Sequence, residues 1–197
     1  MASGPTAAVL DACVLAPEVL RYLLLGCARA GLFQPRWTLR IAGEVHATVR
    51  RAHLGDPQQV HAELIEWGSS VLVHDYEALE PGIGLTDPAD RHVVAAAINC
   101  GAQVIVTANT RDFPAHVLTR RGLLAQTPDD FLSSLATPPG GAGAEGRAAT
   151  SANAAATIAE LARGLAGARG WSQKELGLAL QRSGLPALAR RLRAATG

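Results

Sequence analysis

Short, unbroken apolar runs alternate along this chain with longer stretches in which apolar residues recur every three or four positions. The runs are too short for helices and read as buried strands: Ala7-Ala8-Val9-Leu10, Val71-Leu72-Val73, Gln103-Val104-Ile105-Val106-Thr107 and Leu123-Leu124-Ala125. Between them, start and stop residues frame the helical spacing. Pro17 suits the first turn of a helix through about Ala28, with Gly31 near its end. Thr38 fits as the N-cap of a second helix through about Arg51, whose apolar stripe is Ile41, Ala42, Val45 and Val49. Asp56-Pro57 opens a third helix ending near Gly68, Asp87-Pro88 a fourth through Cys100, and Thr127-Pro128 another through Leu135. A short helix follows Phe113-Pro114, and Pro81, Gly82 and Gly84 mark an irregular loop.

Strands that alternate with helices predict a parallel sheet covered on both faces, a doubly wound α/β sandwich. Ligands of such sheets bind at the carboxyl ends of the strands. That rule singles out Asp11, directly after the first strand, and Ala108-Asn109-Thr110-Arg111-Asp112, after the Gln103–Thr107 strand. The main domain is expected over residues 1–137, and residues 138–150 have the Pro, Gly and Ala composition of a linker. Beyond it, Ile158, Leu161 and Leu165 keep helical spacing, and Ser172-Gln173-Lys174-Glu175 has capping-box form ahead of Leu176, Leu178 and Leu180. Residues 151–197 therefore predict two or three helices, too few for a core of their own.

Composition narrows the picture. At 197 residues, 48% hydrophobic and 18% charged, the chain suits a folded protein with one main domain. No eighteen-residue apolar stretch predicts a membrane span and the start lacks signal-peptide form, so the cytoplasm is the expected location. Cys13, Cys27 and Cys100 form no CxxC pair, are odd in number and sit in apolar runs, which reads as small buried hydrophobes rather than zinc ligands or disulfides. Charge is uneven. Residues 1–135 hold 14 acids and 10 bases, and residues 136–197 hold 3 acids and 8 bases, so an acidic domain carries a basic tail. Such a division can separate metal binding from contact with a polyanion, or mark only a solvated helix face.

The acids are the candidate chemistry. Asp11 stands at the ligand edge of the sheet, where a turn or cap role is its plainer alternative. Glu44 shares a helix face with Arg40 and Arg51, away from the apolar stripe, so its plainer reading is an i,i+4 ion pair with Arg40. Asp87-Pro88-Ala89-Asp90 is also how a helix start is built, and Thr127-Pro128-Asp129-Asp130 repeats the form where no chemistry is expected. Asp90 nonetheless falls at the amino end of a helix whose other end feeds the Gln103–Thr107 strand, and so at the edge that Asp11 occupies. Asn109 and Asp112 follow that strand, with an Asx-turn as the alternative for Asn109. Acids converging from four segments would repel one another unless a divalent cation joined them, and an all-oxygen donor set favours Mg²⁺ or Mn²⁺.

These residues resemble the PIN-domain nucleases, in particular the VapC-like toxins of toxin–antitoxin pairs. The resemblance rests on Val9-Leu10-Asp11-Ala12-Cys13-Val14-Leu15, on Glu44, on Asp90-Arg91-His92-Val93-Val94-Ala95-Ala96-Ala97, and on Val106-Thr107-Ala108-Asn109-Thr110-Arg111-Asp112-Phe113. It covers roughly residues 7–135. It implies a PIN-like three-layer α/β/α sandwich, here with a C-terminal helical extension, and Mg²⁺- or Mn²⁺-dependent endoribonuclease activity. A homodimer, an RNA substrate and a small inhibiting antitoxin follow from the same likeness. Carried onto this chain, Asp11, Glu44, Asp90 and Asp112 are the expected catalytic acids, and Asp11, Asp90, Asp112 and Asn109 the expected metal ligands. The chain departs from the family at one point: the fourth acid usually stands two residues after the threonine, where Asn109 lies, with Asp112 following.

Arg36, Arg40, Arg50 and Arg51 are the expected grips on RNA phosphates. Two other chemistries compete. A haloacid-dehalogenase phosphatase would want a second acid at Cys13 and a lysine near the site, and the chain's one lysine is Lys174 in the tail. A PIN scaffold with a weakened metal site, binding RNA or a protein without cutting, is the alternative that Asn109 allows. The Trp171–Leu176 segment also has the form of a helix-turn-helix start, which would give the tail a DNA-binding task. The six histidines form no HExxH spacing and read as surface or supporting residues, and Trp37 and Trp67 as packing residues, with Trp37 beside Arg36 as a possible base-stacking side chain.

Overall fold

The computed structural model describes residues 5–85, 87–137 and 144–194, of which residues 144–150 are described by their backbone alone. It contains a four-stranded parallel sheet in the order β2-β1-β3-β4, built from β1 (Ala7–Leu10), β2 (Gln34–Arg36), β3 (Val104–Val106) and β4 (Leu124–Gln126). Registers are continuous across it, with Val9 opposite both Arg36 and Ile105, and Ile105 opposite Ala125. The two central strands, β1 and β3, lie within uninterrupted apolar runs, and β3 is buried at all three positions. That is what a parallel strand covered on both faces requires. The α/β/α fold expected from the sequence is the fold observed.

The helices are α1 (Ala12–Leu15), α2 (Glu18–Arg29), α3 (Leu39–Ala52), α4 (Pro57–Ile65), α5 (Arg91–Asn99), α6 (Ala115–Leu118), α7 (Pro128–Leu135), α8 (Ala144–Arg169), α9 (Gln173–Arg182) and α10 (Pro186–Ala194). Their ends follow the chemistry of their boundary residues. Thr38 accepts from the amide of Ile41 at the start of α3, and α3 buries Ile41, Ala42, Val45 and Val49, the stripe read from the sequence. Asp56 accepts from Gln58 N, with Pro57 in the first turn of α4. Ser172 and Glu175 form both halves of the capping box at α9.

Several elements differ from expectation. Val71–Val73 is no strand: one isolated parallel bridge joins Leu72 to Trp37, through Trp37 N to Val71 O and Val73 N to Trp37 O. The strand beside β1 is instead Gln34-Pro35-Arg36, where Pro35 costs an amide that a sheet edge can spare. The irregular loop holds a 3-10 helix over Glu77–Gly82, and the expected Asp87–Cys100 helix divides into a 3-10 turn, Pro88–Asp90, and α5. Of the linker expected over 138–150, residues 138–143 lie outside the described residues, and the helix α8 already includes residues from Ala144.

The chain forms two compact units. One comprises Met1–Glu18 with Phe33–Thr127 and holds the sheet; the other comprises Val19–Leu32 with Pro128–Gly197. In the first, α5 packs on β1 and β3, and Leu10, Val94, Ile105 and Val106 are fully enclosed. In the second, α2 takes part with the tail helices, whose shortage of apolar surface it helps to make up. Leu161 of α8 lies so close to Gly26 of α2 that a Cβ there would stand 2.7 Å from Leu161 Cδ2. Asp129 of α7, 9% exposed, accepts from the amides of Ala187 and Leu188 at 2.7 and 3.1 Å and so caps α10. The Thr-Pro-Asp-Asp segment thus has a structural carboxylate, as its lack of expected chemistry suggested.

Candidate active site

An open cleft of about 350 Å³ lies at the carboxyl ends of β1 and β3, lined by Asp11, Ala12, Cys13, Glu44, Thr48, Arg51, Asp90, Asn109, Asp112 and Phe113. All four expected acids and Asn109 meet there. They arrive on separate elements: Asp11 from the end of β1, Glu44 from α3, Asp90 from the 3-10 turn before α5, and Asn109 and Asp112 from the 3-10 turn after β3.

Asp11 is held from several directions. Its backbone amide continues the β1–β3 ladder onto Val106 O at 3.1 Å. Its Oδ1 accepts from Ala12 N at 2.7 Å as the N-cap of α1, and its Oδ2 accepts from Thr107 Oγ1 at 2.8 Å and from Cys13 Sγ at 3.0 Å. Cap and ligand-edge readings therefore coexist in one residue. The reading of Cys13 as a buried hydrophobe is corrected: its half-buried sulfur also accepts from Ala108 N at 3.2 Å. Burial, with the Asp11 charge beside it, pushes the thiol up to about 12, so it stays protonated and donates. The heptapeptide around Asp11 had carried this residue without showing its role, because an apolar run gives no hint that one side chain turns toward the strand ends.

Asp90 is the strained member. Loss of water around its carboxyl, followed by the charges of Asp11, Asp112 and Asp87, pushes its pKa from 3.8 up to about 6. Asp87 caps the turn by accepting from Ala89 N at 2.8 Å, as its Asp-Pro setting predicted. Asn109 donates through Nδ2 to Asp112 Oδ2, so the amide that replaces the usual fourth acid orients the acid that follows it. Asn109 N itself donates to Thr107 Oγ1 at 3.1 Å.

Glu44 stands between two donors. Arg40 Nε lies 3.4 Å from its Oε1, the i,i+4 pair foreseen as the plainer reading, and His92 Nε2 approaches the same oxygen to 3.2 Å from the buried side. Burial alone would raise the Glu44 carboxyl. The His92 hydrogen bond and charge, with Arg40 behind them, outweigh it and hold the group below its ordinary value.

The arginines separate. Arg51 lines the cleft. Arg40 also reaches Glu80 at 3.6 Å and Ala89 O at 3.3 Å, which ties the cleft wall together, and Arg36 bonds Pro35 O and Gln34 Oε1. Neither these two nor Arg50, exposed near the end of α3, line the cleft. Trp37 is fully buried against Trp67 in an edge-to-face pair at 6.0 Å, so base stacking by Trp37 is corrected to packing. Sequence reasoning gives no role to Thr48 or Phe113, which line the cleft, reads Cys13 only as a small hydrophobe, and reads His92 only as a surface or supporting residue. His92 has no ligand spacing to betray it, though it lies two positions after Asp90 in the matched segment.

The oxygen donors and their mutual repulsion fit a hard divalent cation in kind. In placement the side chains stand apart: among the described residues no three His, Cys, Asp or Glu side chains form a ligand group.

A parallel sheet that delivers acids from four segments to one edge is the signature of a PIN domain, and the PIN domain family model matches residues 6–111, so the chain belongs to that family. Membership supports a nuclease, a hydrolase. Among curated proteins, the chain is 51% identical over 43 residues to the protein named "Putative ribonuclease VapC50" of Mycobacterium tuberculosis, a match covering 22% of this chain and 25% of that relative. No solved structure matches the chain. No helix among the described residues is long and apolar enough to cross a membrane.

Proposed function

We propose that the chain is a Mg²⁺- or Mn²⁺-dependent endoribonuclease that hydrolyses RNA phosphodiester bonds, and that it acts as the toxin of a toxin–antitoxin pair. One observation carries the nuclease reading: Asp11, Glu44, Asp90, Asn109 and Asp112, most of them far apart in sequence, line a single cleft, where burial and then the charges of Asp11 and Asp112 raise the Asp90 carboxyl. Asp11, Asp90 and Asp112, helped by Asn109, would hold one or two cations, with Glu44 completing the site directly or through water. A divalent cation supplies Lewis acidity there, lowering the pKa of water and countering charge that grows on the phosphate.

The chain's own residues do the rest. Three donors fix the Asp11 carboxylate in one orientation at the cleft, so it need not reorganise to meet a ligand there. Glu44, kept ionised by His92 and Arg40, can accept a proton or orient water. Arg51 at the cleft offers a cation to a flanking phosphate, and Arg36, Arg40 and Arg50 would contact RNA farther out. A small antitoxin, a second copy of the chain and a cytoplasmic setting belong to the same proposal, supported by family membership and by the name of the relative.

The test is cleavage of single-stranded RNA by purified protein in Mg²⁺ or Mn²⁺, with EDTA as control, for wild type and Asp11→Asn. We expect loss of cleavage in the variant and in EDTA, with the melting temperature retained. An Asp11→Asn protein that cuts as fast as wild type sinks the site. The binding-only alternative draws on Asn109 and on the spread of the side chains. Calorimetry decides between them, since a scaffold without chemistry takes up no Mn²⁺ that depends on Asp11 and Asp90.

A further inference from the structure

We infer that His92 is a positioning residue of this site, holding Glu44 through a hydrogen bond from its Nε2 and fixing α3 against the turn that carries Asp90. The inference rests on the nuclease reading for its kinetic consequence, not for the hydrogen bond itself.

His92 belongs to the first turn of α5 and is 1% exposed, yet its ring reaches a carboxylate that lines the cleft. The contact, Nε2 to Glu44 Oε1 at 3.2 Å, joins residues 48 positions apart on two different helices. Its other nitrogen, Nδ1, is buried and has no partner among the described residues. The contact with a carboxylate oxygen requires the proton on Nε2, because a ring protonated on Nδ1 alone would turn two acceptors toward each other and bury an orphan N–H.

An apolar residue would fill the space as well, so packing does not explain a buried imidazole with one idle nitrogen. The bond to Glu44 does. Glu44 sits on the solvent-facing side of α3, where a free glutamate samples several rotamers. Arg40 alone would draw it along the helix toward Glu80 and the Ala89 carbonyl, which Arg40 also holds. His92 pulls from the enclosed side and pins Oε1, leaving Oε2 for the cleft. Because His92 lies two residues beyond Asp90, the same bond sets the spacing between two of the four acids. A donor that orients a site carboxylate typically changes activity by about 10- to 100-fold when removed.

The test pairs two substitutions. His92→Gln keeps an N–H donor at nearly the reach of Nε2, whereas His92→Leu keeps the bulk without it. With melting temperatures matched, we expect His92→Gln to cleave RNA within about threefold of wild type, and His92→Leu to lose about 10-fold or more in kcat with KM unchanged. In a Glu44→Ala background, which removes the acceptor, His92→Leu should cost nothing further. A leucine variant with wild-type kcat, or one losing the same factor in both backgrounds, overturns the inference. Imidazole ¹⁵N NMR reads the bond without any catalysis: an Nε2-protonated ring whose N–H exchanges slowly in wild type and rapidly in Glu44→Ala supports it. A ring protonated on Nδ1 alone refutes it, even if His92→Leu fails to fold. If wild type cuts no RNA while the NMR result holds, the nuclease reading fails and the bond stands.

Discussion

The hydroxyl of Thr107, one residue past β3, donates to Asp11 Oδ2 over 2.8 Å and so locks the ends of two neighbouring strands across 96 residues of sequence. Thr107 is fully buried and also accepts from Asn109 N, so one oxygen sets the first acid and the turn that carries Asn109 and Asp112. Thr107→Val keeps the shape and removes both bonds. Losing them with one partner still buried should cost about 1–2 kcal/mol in denaturant unfolding, and Asp11 and Asn109 freed together should lower RNA cleavage about tenfold. Valine at wild-type activity would show that strand geometry alone orients Asp11.

Asp90 gives the site a pH signature. Its carboxyl titrates near 3.8 without the fold and near 6 within it, through burial and then the charges of Asp11, Asp112 and Asp87. Between those values the folded protein keeps a proton that the unfolded chain has released. The contribution to stability is therefore complete below the lower value and is lost as pH rises through the upper one. Metal-free Asp90→Asn protein should melt higher than wild type at pH 7.5, by no more than about 1 kcal/mol because solvent screens the half-exposed carboxyl. Near pH 4 the two should coincide. Saturating Mn²⁺ should erase the advantage by stabilising wild type alone. A variant less stable than wild type in EDTA at neutral pH would contradict the picture of acids under mutual repulsion.

Cys13 should be a poor nucleophile despite its place at an open cleft. A thiol pushed to about 12 is almost wholly protonated at pH 8, and only the thiolate reacts. Alkylation of native Cys13 by iodoacetamide, followed by peptide mass spectrometry, should run at least about 100-fold slower than in the denatured chain. Rapid native labelling would mean that Sγ is not held by Asp11 and Ala108.

What the sequence made legible was governed by side-chain pattern. The stripe of α3, the buried run of β3 and the caps at Thr38, Asp56 and Ser172 each depend on residues within a few positions of one another. Asp11, Asp90, Asn109 and Asp112 were legible because strand-end and helix-start positions converge in a parallel sheet, whereas Glu44, inside α3, was legible through the face it shares with Arg40 and Arg51 and through the family resemblance. Pairing partners were not. Gln34-Pro35-Arg36 pairs with β1 through its backbone and carries no strand pattern, whereas Val71–Val73 carries the pattern and, among the described residues, bridges Trp37 alone. Alanine and glycine concealed the start of α8 in the same way, since residues 144–150 have a linker's composition although alanine is the best helix former. His92 and Cys13 were hidden because their roles depend on contacts with Glu44 and Asp11 from the buried side, and an apolar segment gives no sign of such contacts.

Asp129 shows how a carboxylate can be essential with no chemistry to perform. Its two oxygens take the amides of Ala187 and Leu188, which the first turn of α10 cannot satisfy internally. The negative charge also faces the positive end of that helix. Pro186 in the first turn of α10 has no amide to offer, so Asp129 covers the next two donors. Asp129→Ala leaves both unmet in a nearly enclosed place and should destabilise the unit by about 2–3 kcal/mol. Asp129→Asn keeps one acceptor oxygen and should lose about half as much. Hydrogen exchange locates the effect: the amides of Ala187 and Leu188 should lose protection in the alanine variant first, ahead of those in α9. If both remain protected there, another group caps α10, and the buried position of Asp129 needs a different explanation.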